Sequence, residues 1–202
     1  NHFDIHCGGV DNMFPHHENE IAQSTCSSGK KFVNYWLHSE FLLVDGGKMS
    51  KSLGNCFTVS DLIKKGFTAE SIRYQLLAGH YRTKISFSLK KKQDSDKVIS
   101  RINEFKSLLI DSGAQDIQIK QFPDSYYDFV EAMNDDLNTP KALGIFHSWM
   151  RQMIKKIKTD SIDKNEIGEA WNFLINFDSV FGFLSEKSFK IPFKIKKLMD
   201  LR

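Results

Sequence analysis

Two short segments of this 202-residue sequence carry side chains that could do chemistry, and the first is Phe14-Pro-His-His-Glu-Asn-Glu20. If it is helical, His16 and Glu20 lie four residues apart and point the same way, so an imidazole and a carboxylate could hold one metal ion. His17 lies about 100° further round such a helix and faces elsewhere, unless the metal recruits it instead. Spacing alone does not establish a metal site, because a histidine and a glutamate can lie four residues apart by coincidence. A metal ion would also need further ligands from outside this helix.

The second segment is Lys48-Met-Ser-Lys-Ser52, which has glycines on both sides. Its two ammonium groups, Lys48 and Lys51, are three residues apart on a polar loop, and Ser50 and Ser52 place hydroxyls beside them. Such a loop could close over a triphosphate and compensate the negative charge that builds up as pyrophosphate leaves. The segment therefore predicts a nucleotide-binding loop.

Both segments belong to a first part of the chain, residues 1–57, in which we expect short strands and glycine turns around one helix. Alternation predicts a strand at 3–6, and a proline in the first turn suits a helix over about 15–24. Aromatic and β-branched residues in 31–44 predict one strand or two before a glycine turn at 45–47. The pattern indicates an α/β fold for this part.

The rest of the chain is predicted to be helical. Thr58 and Asp61 resemble a capping box at the start of a helix, and a second helix follows over 69–82. From residue 96 to 202 we expect an antiparallel helical bundle, with Thr139-Pro140 as a helix start. Two stripes of apolar residues at helical spacing would form its core: Val98, Ile102, Phe105 and Leu109, then Ile145, Trp149, Met153 and Ile157.

Composition excludes several classes of protein. With 41% hydrophobic residues the chain can bury a core, whereas its apolar stretches are far too short to span a bilayer, so we expect no membrane partner and a cytoplasmic location. Cys7, Cys26 and Cys56 are odd in number and widely spaced, which favours free thiols over a disulfide framework. The net charge of +3 does not by itself indicate nucleic-acid binding; 90–92 and 187–202 are locally basic and could meet phosphates or simply face water.

Three motifs together resemble one family. Lys48 to Ser52 is the second signature of class I aminoacyl-tRNA synthetases. Asp4-Ile-His-Cys-Gly-Gly-Val-Asp11, with 14–20, closely resembles the site region of the cysteinyl-tRNA synthetase family, and Asn134-Asp-Asp-Leu-Asn-Thr-Pro140 resembles its DALR-type helical domain. The resemblance runs through essentially the whole chain, and the order and spacing of the motifs make it specific.

The resemblance implies three regions. Residues 1–57 would be the second half of a Rossmann-like class I synthetase catalytic domain, which is an α/β fold. Residues 58–95 would be a connecting helical region of the stem-contact type. Residues 96–202 would be an all-α DALR-type bundle that contacts tRNA.

It also implies a substrate-reading metal site. His16 and Glu20 would be two of four Zn²⁺ ligands, and two cysteines upstream of residue 1 would be the others. His6 and Asp11 would line the pocket for the substrate amino acid. Cys7 lies close in sequence but is not expected to be a ligand.

The nucleotide would be held by two further groups of residues. Gly8-Gly9 would let the backbone approach the adenylate closely. Lys51 would be the principal lysine on the ATP phosphates, with Lys48 assisting and with Ser50 and Ser52 completing the catalytic loop.

The implied activity is ATP-dependent ligation of L-cysteine to tRNA(Cys) through a cysteinyl adenylate, with Zn²⁺ reading the thiol and Mg²⁺ accompanying ATP. A monomer is expected. The family's first ATP-binding signature and its anticodon-reading segment do not occur in the sequence, so we expect a section of a longer enzyme that is inactive alone. Two alternatives are a ligase that joins cysteine to an amino sugar and a non-catalytic tRNA-binding protein.

Overall fold

The computed structural model describes residues 2–50, 54–117 and 120–184. Its first part is a βαβ unit made of β1 (Phe3–Gly9), α1 (Glu18–Ser28) and β2 (Val33–Ser39). The two strands run parallel, with Phe3 opposite Val33 and Gly9 opposite Ser39. The carboxyl ends of both strands therefore meet at one edge, where open α/β sheets bind their ligands.

A second, smaller sheet follows in the chain. β3 (Leu42–Val44) turns through Asp45 and Gly46, both with positive φ, into the antiparallel β4 (Gly47–Lys48), and β5 (Ile85–Phe87) pairs with β3 in parallel. Of the one or two strands predicted over 31–44, the structure has two, and the glycine turn is confirmed.

Two short helices connect the sheets to the bundle: α2 (Val59–Lys64) and α3 (Ala69–Leu77). Thr58 and Asp61 form the predicted capping box at α2, and Thr68 forms another with Ser71 at α3. α3 ends at Leu77, earlier than the predicted Arg82. A small apolar cluster of Leu62, Phe67, Ile72 and Phe87 holds these helices against β5.

Four helices make up the second part: α4 (Lys92–Asp111), α5 (Asp124–Asn134), α6 (Thr139–Lys158) and α7 (Lys164–Phe181). The two predicted stripes face its core. The fully buried side chains at the centre are mostly aromatic: Phe105, Phe146, Phe173, Phe177, Phe181 and Phe183. None of the helices in the described part of the chain is both long and apolar enough to span a bilayer.

Two helix starts differ from the prediction. α1 proper begins at Glu18, because a wider turn over Met13–His17, interrupted by extended backbone at Phe14, precedes it. α6 is capped by Asn138, whose side chain accepts the Lys141 N–H at 3.2 Å, so the cap lies one residue before the predicted Thr139.

Side chains of α3 and of the segment between α3 and β5 join the two parts. Arg73 donates hydrogen bonds to the carbonyls of Val180 and Phe181 at the end of α7. Tyr81 donates to Asp136 at 2.6 Å, and Arg82 forms an ion pair with the same carboxylate. Asp136 lies in the loop between α5 and α6, so the end of α7 is tied to α3 and the α5–α6 loop is tied to the segment after α3.

Candidate functional site

Three side chains in the first part bring potential metal ligands together. One ligand atom from each of His6, His17 and Glu20 lies within 4.8 Å of the others. His6 comes from the middle of β1, whereas the other two come from the turn before α1 and from its first turn. Two imidazoles and a carboxylate form a donor set of the kind that zinc accepts.

Strand alternation explains why His6 meets these partners. Residues two apart on a strand share a face, so His6 and Gly8 lie on one face of β1. The parallel register sets Trp36 opposite His6 and His38 opposite Gly8, on the same face. The His6 ring centroid is 4.7 Å from that of Trp36 and 4.8 Å from that of His17.

The two glycines make room for site side chains. A Cβ on Gly8 would lie 2.6 Å from Cε1 of His17, and one on Gly9 would lie 2.5 Å from Oδ1 of Asp11. Real Cβ contacts do not approach so closely, so any larger residue would displace these side chains. Both glycines are therefore needed for packing at this site. The role of Gly8-Gly9 at the adenylate stays a prediction.

His17 is the most deeply buried member of the cluster, with 6% of its surface exposed. Its Nδ1 lies 2.8 Å from Nε2 of His38, so one ring donates to the other. Burial, followed by the nearby rings of His6 and His38, lowers the pKa of His17 below its ordinary value. The lowered pKa favours the neutral imidazole, which is the form that binds metals.

The predicted ligand Glu20 belongs to this cluster, whereas His16 lies beside it. Oε2 of Glu20 is buried 3.4 Å from Nε2 of His6 and forms no hydrogen bond with the described residues. His16 is exposed and forms no hydrogen bond or ion pair with another described residue. The assignment of zinc to His16 and Glu20 stays a prediction, and the structure adds His6 and His17 as neighbours.

The predicted nucleotide loop is described only in part, since Lys51 and Ser52 lie outside the described residues. Lys48 is exposed at the end of β4. Asn55 holds the loop: its Oδ1 accepts the Ser50 N–H at 2.8 Å and its Nδ2 donates to the Lys48 carbonyl at 3.0 Å. Sequence reasoning gave Asn55 no role, although an asparagine after a glycine is a common loop-stabilising residue.

Cys7 lies on the face of β1 opposite to that of His6 and Gly8, and its expected absence from the ligand set stays a prediction. With Leu37 it lines a separate cleft of about 440 Å³ on the other face of the β1 and β2 pair. Trp36 and His38 were missed. Their spacing of two residues does predict that Trp36 and His38 share one face of a strand. Their pairing with His6 and Gly8 depends on the parallel register, which the sequence does not reveal.

Comparison with known proteins places this site in a family. The family model described as the tRNA synthetases class I (C) catalytic domain matches residues 1–100, and the DALR domain model matches residues 128–185. The chain belongs to the class I tRNA synthetases. The family resemblance and the fold class predicted from sequence are confirmed. The boundaries at 57 and 95 stay predictions, and α4 crosses the second.

Curated relatives of this class I synthetase chain carry one name. Cysteine--tRNA ligase of Brachyspira hyodysenteriae is 45% identical over 187 residues, which cover 89% of this chain and 39% of that protein. Cysteine--tRNA ligase of Chlamydia muridarum is 41% identical over 212 residues, covering 98% and 45%. The chain thus spans about two fifths of the length of these relatives.

Solved structures show the same synthetase fold at low identity. The LeuRS of Agrobacterium radiobacter K84, in a ternary complex with tRNA and LeuAMS, superposes with a TM-score of 0.72 at 15% identity, over 88% of this chain and 25% of that one. Methionyl-tRNA synthetase of Mycobacterium tuberculosis, bound by methionyl-adenylate, gives 0.56 at 17%, over 85% and 38%. At these identities the likeness concerns the fold alone.

Proposed function

We propose that the protein to which this chain belongs ligates L-cysteine to tRNA(Cys), using ATP and a cysteinyl adenylate. The observation that carries the proposal is the Glu20 carboxylate among imidazoles at the β1–β2 face, in a chain whose curated relatives are cysteine--tRNA ligases. The position near the carboxyl ends of two parallel strands suits a ligand site in an α/β fold.

The residues present fit a zinc ion. Glu20 offers a buried oxygen without a hydrogen bond, and His16 offers an imidazole without a partner among the described residues. This oxygen lies 3.4 Å from Nε2 of His6 without a hydrogen bond, an arrangement that a cation shared by the two side chains would satisfy. We assign His16 and Glu20 as two of four zinc ligands, with two cysteines upstream of residue 1 as the others.

When bound here, zinc would stabilise the substrate thiolate by direct coordination, which serine's harder and less acidic hydroxyl cannot match. The chain's own residues position the substrate. His6, fixed between Trp36 and His17, bounds the pocket, and the Asp11 carboxylate beside Gly9 suits the substrate ammonium. Cysteine and serine are near-isosteres, and an apolar pocket alone would discriminate between them by only about 10²-fold.

The loop of Lys48, Ser50, Lys51 and Ser52 acts on the nucleotide. The cysteine carboxylate attacks the α-phosphorus of ATP, which arrives with Mg²⁺, and the bond to the bridging oxygen breaks to release pyrophosphate. The ammonium groups of the loop would compensate the negative charge on the phosphates in this step. Asn55 ties Lys48 to Ser50 and so fixes the base of the loop. Positioning and charge compensation carry the step, and the tRNA's terminal ribose then takes the acyl group.

Metal analysis of the full-length protein tests the zinc assignment. We expect Glu20→Ala and His16→Ala to lose zinc and to weaken cysteine binding far more than ATP binding. His17→Ala is the matched variant and should retain the metal. If His17→Ala loses zinc while His16→Ala keeps a normal zinc content, His16 is not a ligand. The metal site would then be the cluster of His6, His17 and Glu20.

Two assays test the reaction. Cysteine-dependent exchange of pyrophosphate into ATP reports adenylate formation, and acylation of a tRNA(Cys) transcript reports the second step. Exchange without tRNA charging would favour the ligase that joins cysteine to an amino sugar; neither reaction would favour a non-catalytic tRNA-binding protein. We also propose a monomer, which light scattering would measure, and a cytoplasmic location.

A further inference from the structure

The hairpin that carries Lys48 has a turn that other parts of the protein hold in place. Asp45 and Gly46 form this turn with φ angles of 47° and 82°, and positive φ at both positions is typical of a two-residue Asp-Gly turn. β4 has only two residues, which pair with Leu43 and Val44 of β3. A ladder this short is marginally stable by itself. The direction in which β4 leaves the turn therefore depends on the contacts that the turn makes.

Three hydrogen bonds join the turn to β5 and to the residue that follows β5. The Asp45 N–H donates to the Phe87 carbonyl at 2.9 Å, and the Gly46 N–H donates to the Ser86 hydroxyl at 3.1 Å. The Ser88 hydroxyl donates to Oδ1 of Asp45 at 2.6 Å. A short hydrogen bond from a hydroxyl to a carboxylate is stronger than one between neutral groups, so the Ser88 contact is the strongest of the three.

Ser88 is itself anchored. Its N–H donates at 3.0 Å to Oε1 of Gln75, a residue of α3 with only 8% of its surface exposed. Its hydroxyl oxygen accepts the Lys90 N–H at 3.2 Å, which leaves the one hydroxyl hydrogen for Asp45. The turn of the hairpin is thus bonded, through Ser88, to a buried residue of α3.

Lys48 lies two residues beyond this turn, and its charge is not neutralised within the described part of the chain. It is exposed, forms no ion pair with a described residue, and places Nζ 6.0 Å from the centroid of the Phe41 ring. The side chain of Asn55 bonds the Lys48 carbonyl and the Ser50 N–H. These two bonds tie the loop to itself, whereas the contacts of the turn tie the hairpin to β5 and α3.

We propose that Asp45 and Ser88 are positioning residues for the nucleotide step, because their hydrogen bond directs β4 so that the Lys48 ammonium group reaches the ATP phosphates. The inference rests on the proposed function, in which Lys48 compensates charge as pyrophosphate leaves. Neither positioning residue has to touch ATP. A displacement of about 1 Å can cost about 10²-fold in rate, and since Lys48 only assists Lys51, we expect about tenfold here.

The test is cysteine-dependent pyrophosphate exchange into ATP by the full-length protein. Ser88→Ala and Asp45→Gly should each lower kcat about tenfold, because the contribution of Lys48 is made in the transition state. KM for cysteine should not change, since the proposed amino-acid pocket is built from other residues. Glycine suits the positive φ at position 45, so Asp45→Gly removes the carboxylate without straining the turn.

Conservative variants should restore the rate. Ser88→Thr keeps the hydroxyl, and the extended backbone at this position, with φ −127° and ψ 127°, suits a β-branched residue. Asp45→Asn keeps an acceptor and tolerates positive φ. Both should hold kcat within about threefold of the wild type. A rate as low as that of the non-conservative variants would show that the hydrogen bond is not what matters.

A double variant tests whether the two residues act together. Ser88→Ala and Asp45→Gly remove the same hydrogen bond, so the protein that carries both should be no slower than the slower single variant. If the two losses in kcat multiply instead, the residues act independently and the proposal is wrong.

Asp163→Ala is the control for stability. Ser88 also caps the short 3₁₀ turn Leu89–Lys91, so Ser88→Ala loses a cap as well as the contact with Asp45. Asp163 caps α7 in the bundle, and its replacement should lower the free energy of unfolding and leave kcat unchanged. An equal loss of kcat in this control would make general destabilisation the cause and would overturn the proposal.

Amide hydrogen exchange separates this proposal from the proposed function. Measured by mass spectrometry without ligands, exchange at the amides of 47–50 should be about tenfold faster in Ser88→Ala and Asp45→Gly and unchanged in Asp163→Ala. If the wild type exchanges pyrophosphate and both variants match its kcat, only the positioning proposal fails. If the wild type exchanges no pyrophosphate, the proposed function fails, and the amide comparison still decides whether Ser88 and Asp45 hold the hairpin.

Discussion

His147 on α6 makes the stability of the bundle depend on pH. It is largely buried, and its Nε2 has no hydrogen-bond partner in the described part of the chain. Burial, followed by the positive charges of Arg101 on α4 and Arg151 on α6, lowers the pKa of His147 from 6.5 to about 4. The Tyr74 ring from α3 packs against it at 6.1 Å between centroids and offers no counter-charge.

The direction in which stability changes with pH depends on whether the folded or the unfolded chain binds the proton more readily. In the unfolded chain His147 takes up a proton near pH 6.5, whereas the folded chain resists protonation until about pH 4. Acidification across this window therefore favours unfolding. At roughly 1.36 kcal/mol per pH unit, the loss of unfolding free energy at the low end of the window is about 3 kcal/mol.

Replacement by leucine, which is similar in volume and a good helix former, removes the titrating group. We expect His147→Leu to be as stable as the wild type above pH 7 and to become progressively more stable than it between pH 6.5 and 4. Urea unfolding followed by tryptophan fluorescence measures both curves, and the differences above pH 7 serve as the baseline. Parallel curves across the whole range would refute the argument.

Three other substitutions test separate parts of the structure. Gly8→Ala should displace His17 and disorder the histidine cluster, because its Cβ would lie 2.6 Å from the ring; histidine NMR signals report this. Phe177→Ala removes a fully buried ring stacked on Phe146 and should cost about 3–5 kcal/mol in urea unfolding; a loss under 1 kcal/mol would contradict the packing. Asp163→Ala removes the cap of α7, which accepts the Glu166 N–H at 2.9 Å, and should cost about 1 kcal/mol.

Much of the bundle could be predicted from sequence because helical periodicity is local. The stripe of Ile102, Phe105 and Leu109 is fully buried, as its spacing requires. The start of α1 was placed too early, since a proline in a first turn suits a helix but does not show that the residues around it continue it. Extended backbone at Phe14 depends on how the turn meets β1, which no local pattern encodes.

The site was predictable only where its residues share one segment. Spacing paired His16 with Glu20, and the motif grouped the lysines of the loop; both assignments stay predictions, and the structure groups Glu20 with His6 and His17. His38 and Trp36 join the cluster through the parallel pairing of strands about thirty residues apart, a non-local contact set by the register. Asn55 likewise acts by folding back on the loop before it.

The clamp of Asp136 on Tyr81 and Arg82 has a mechanical consequence. Asp136 and Leu137 both hold positive φ, a conformation that non-glycine residues adopt at a cost, and the clamp holds them there. Arg73 of α3 also bonds the end of α7, so the bundle is attached to the first part at two separate points and we expect the two parts to move together. A displacement of the bundle would therefore also shift β5. Because β5 pairs with β3, it would shift the β3–β4 hairpin that carries Lys48.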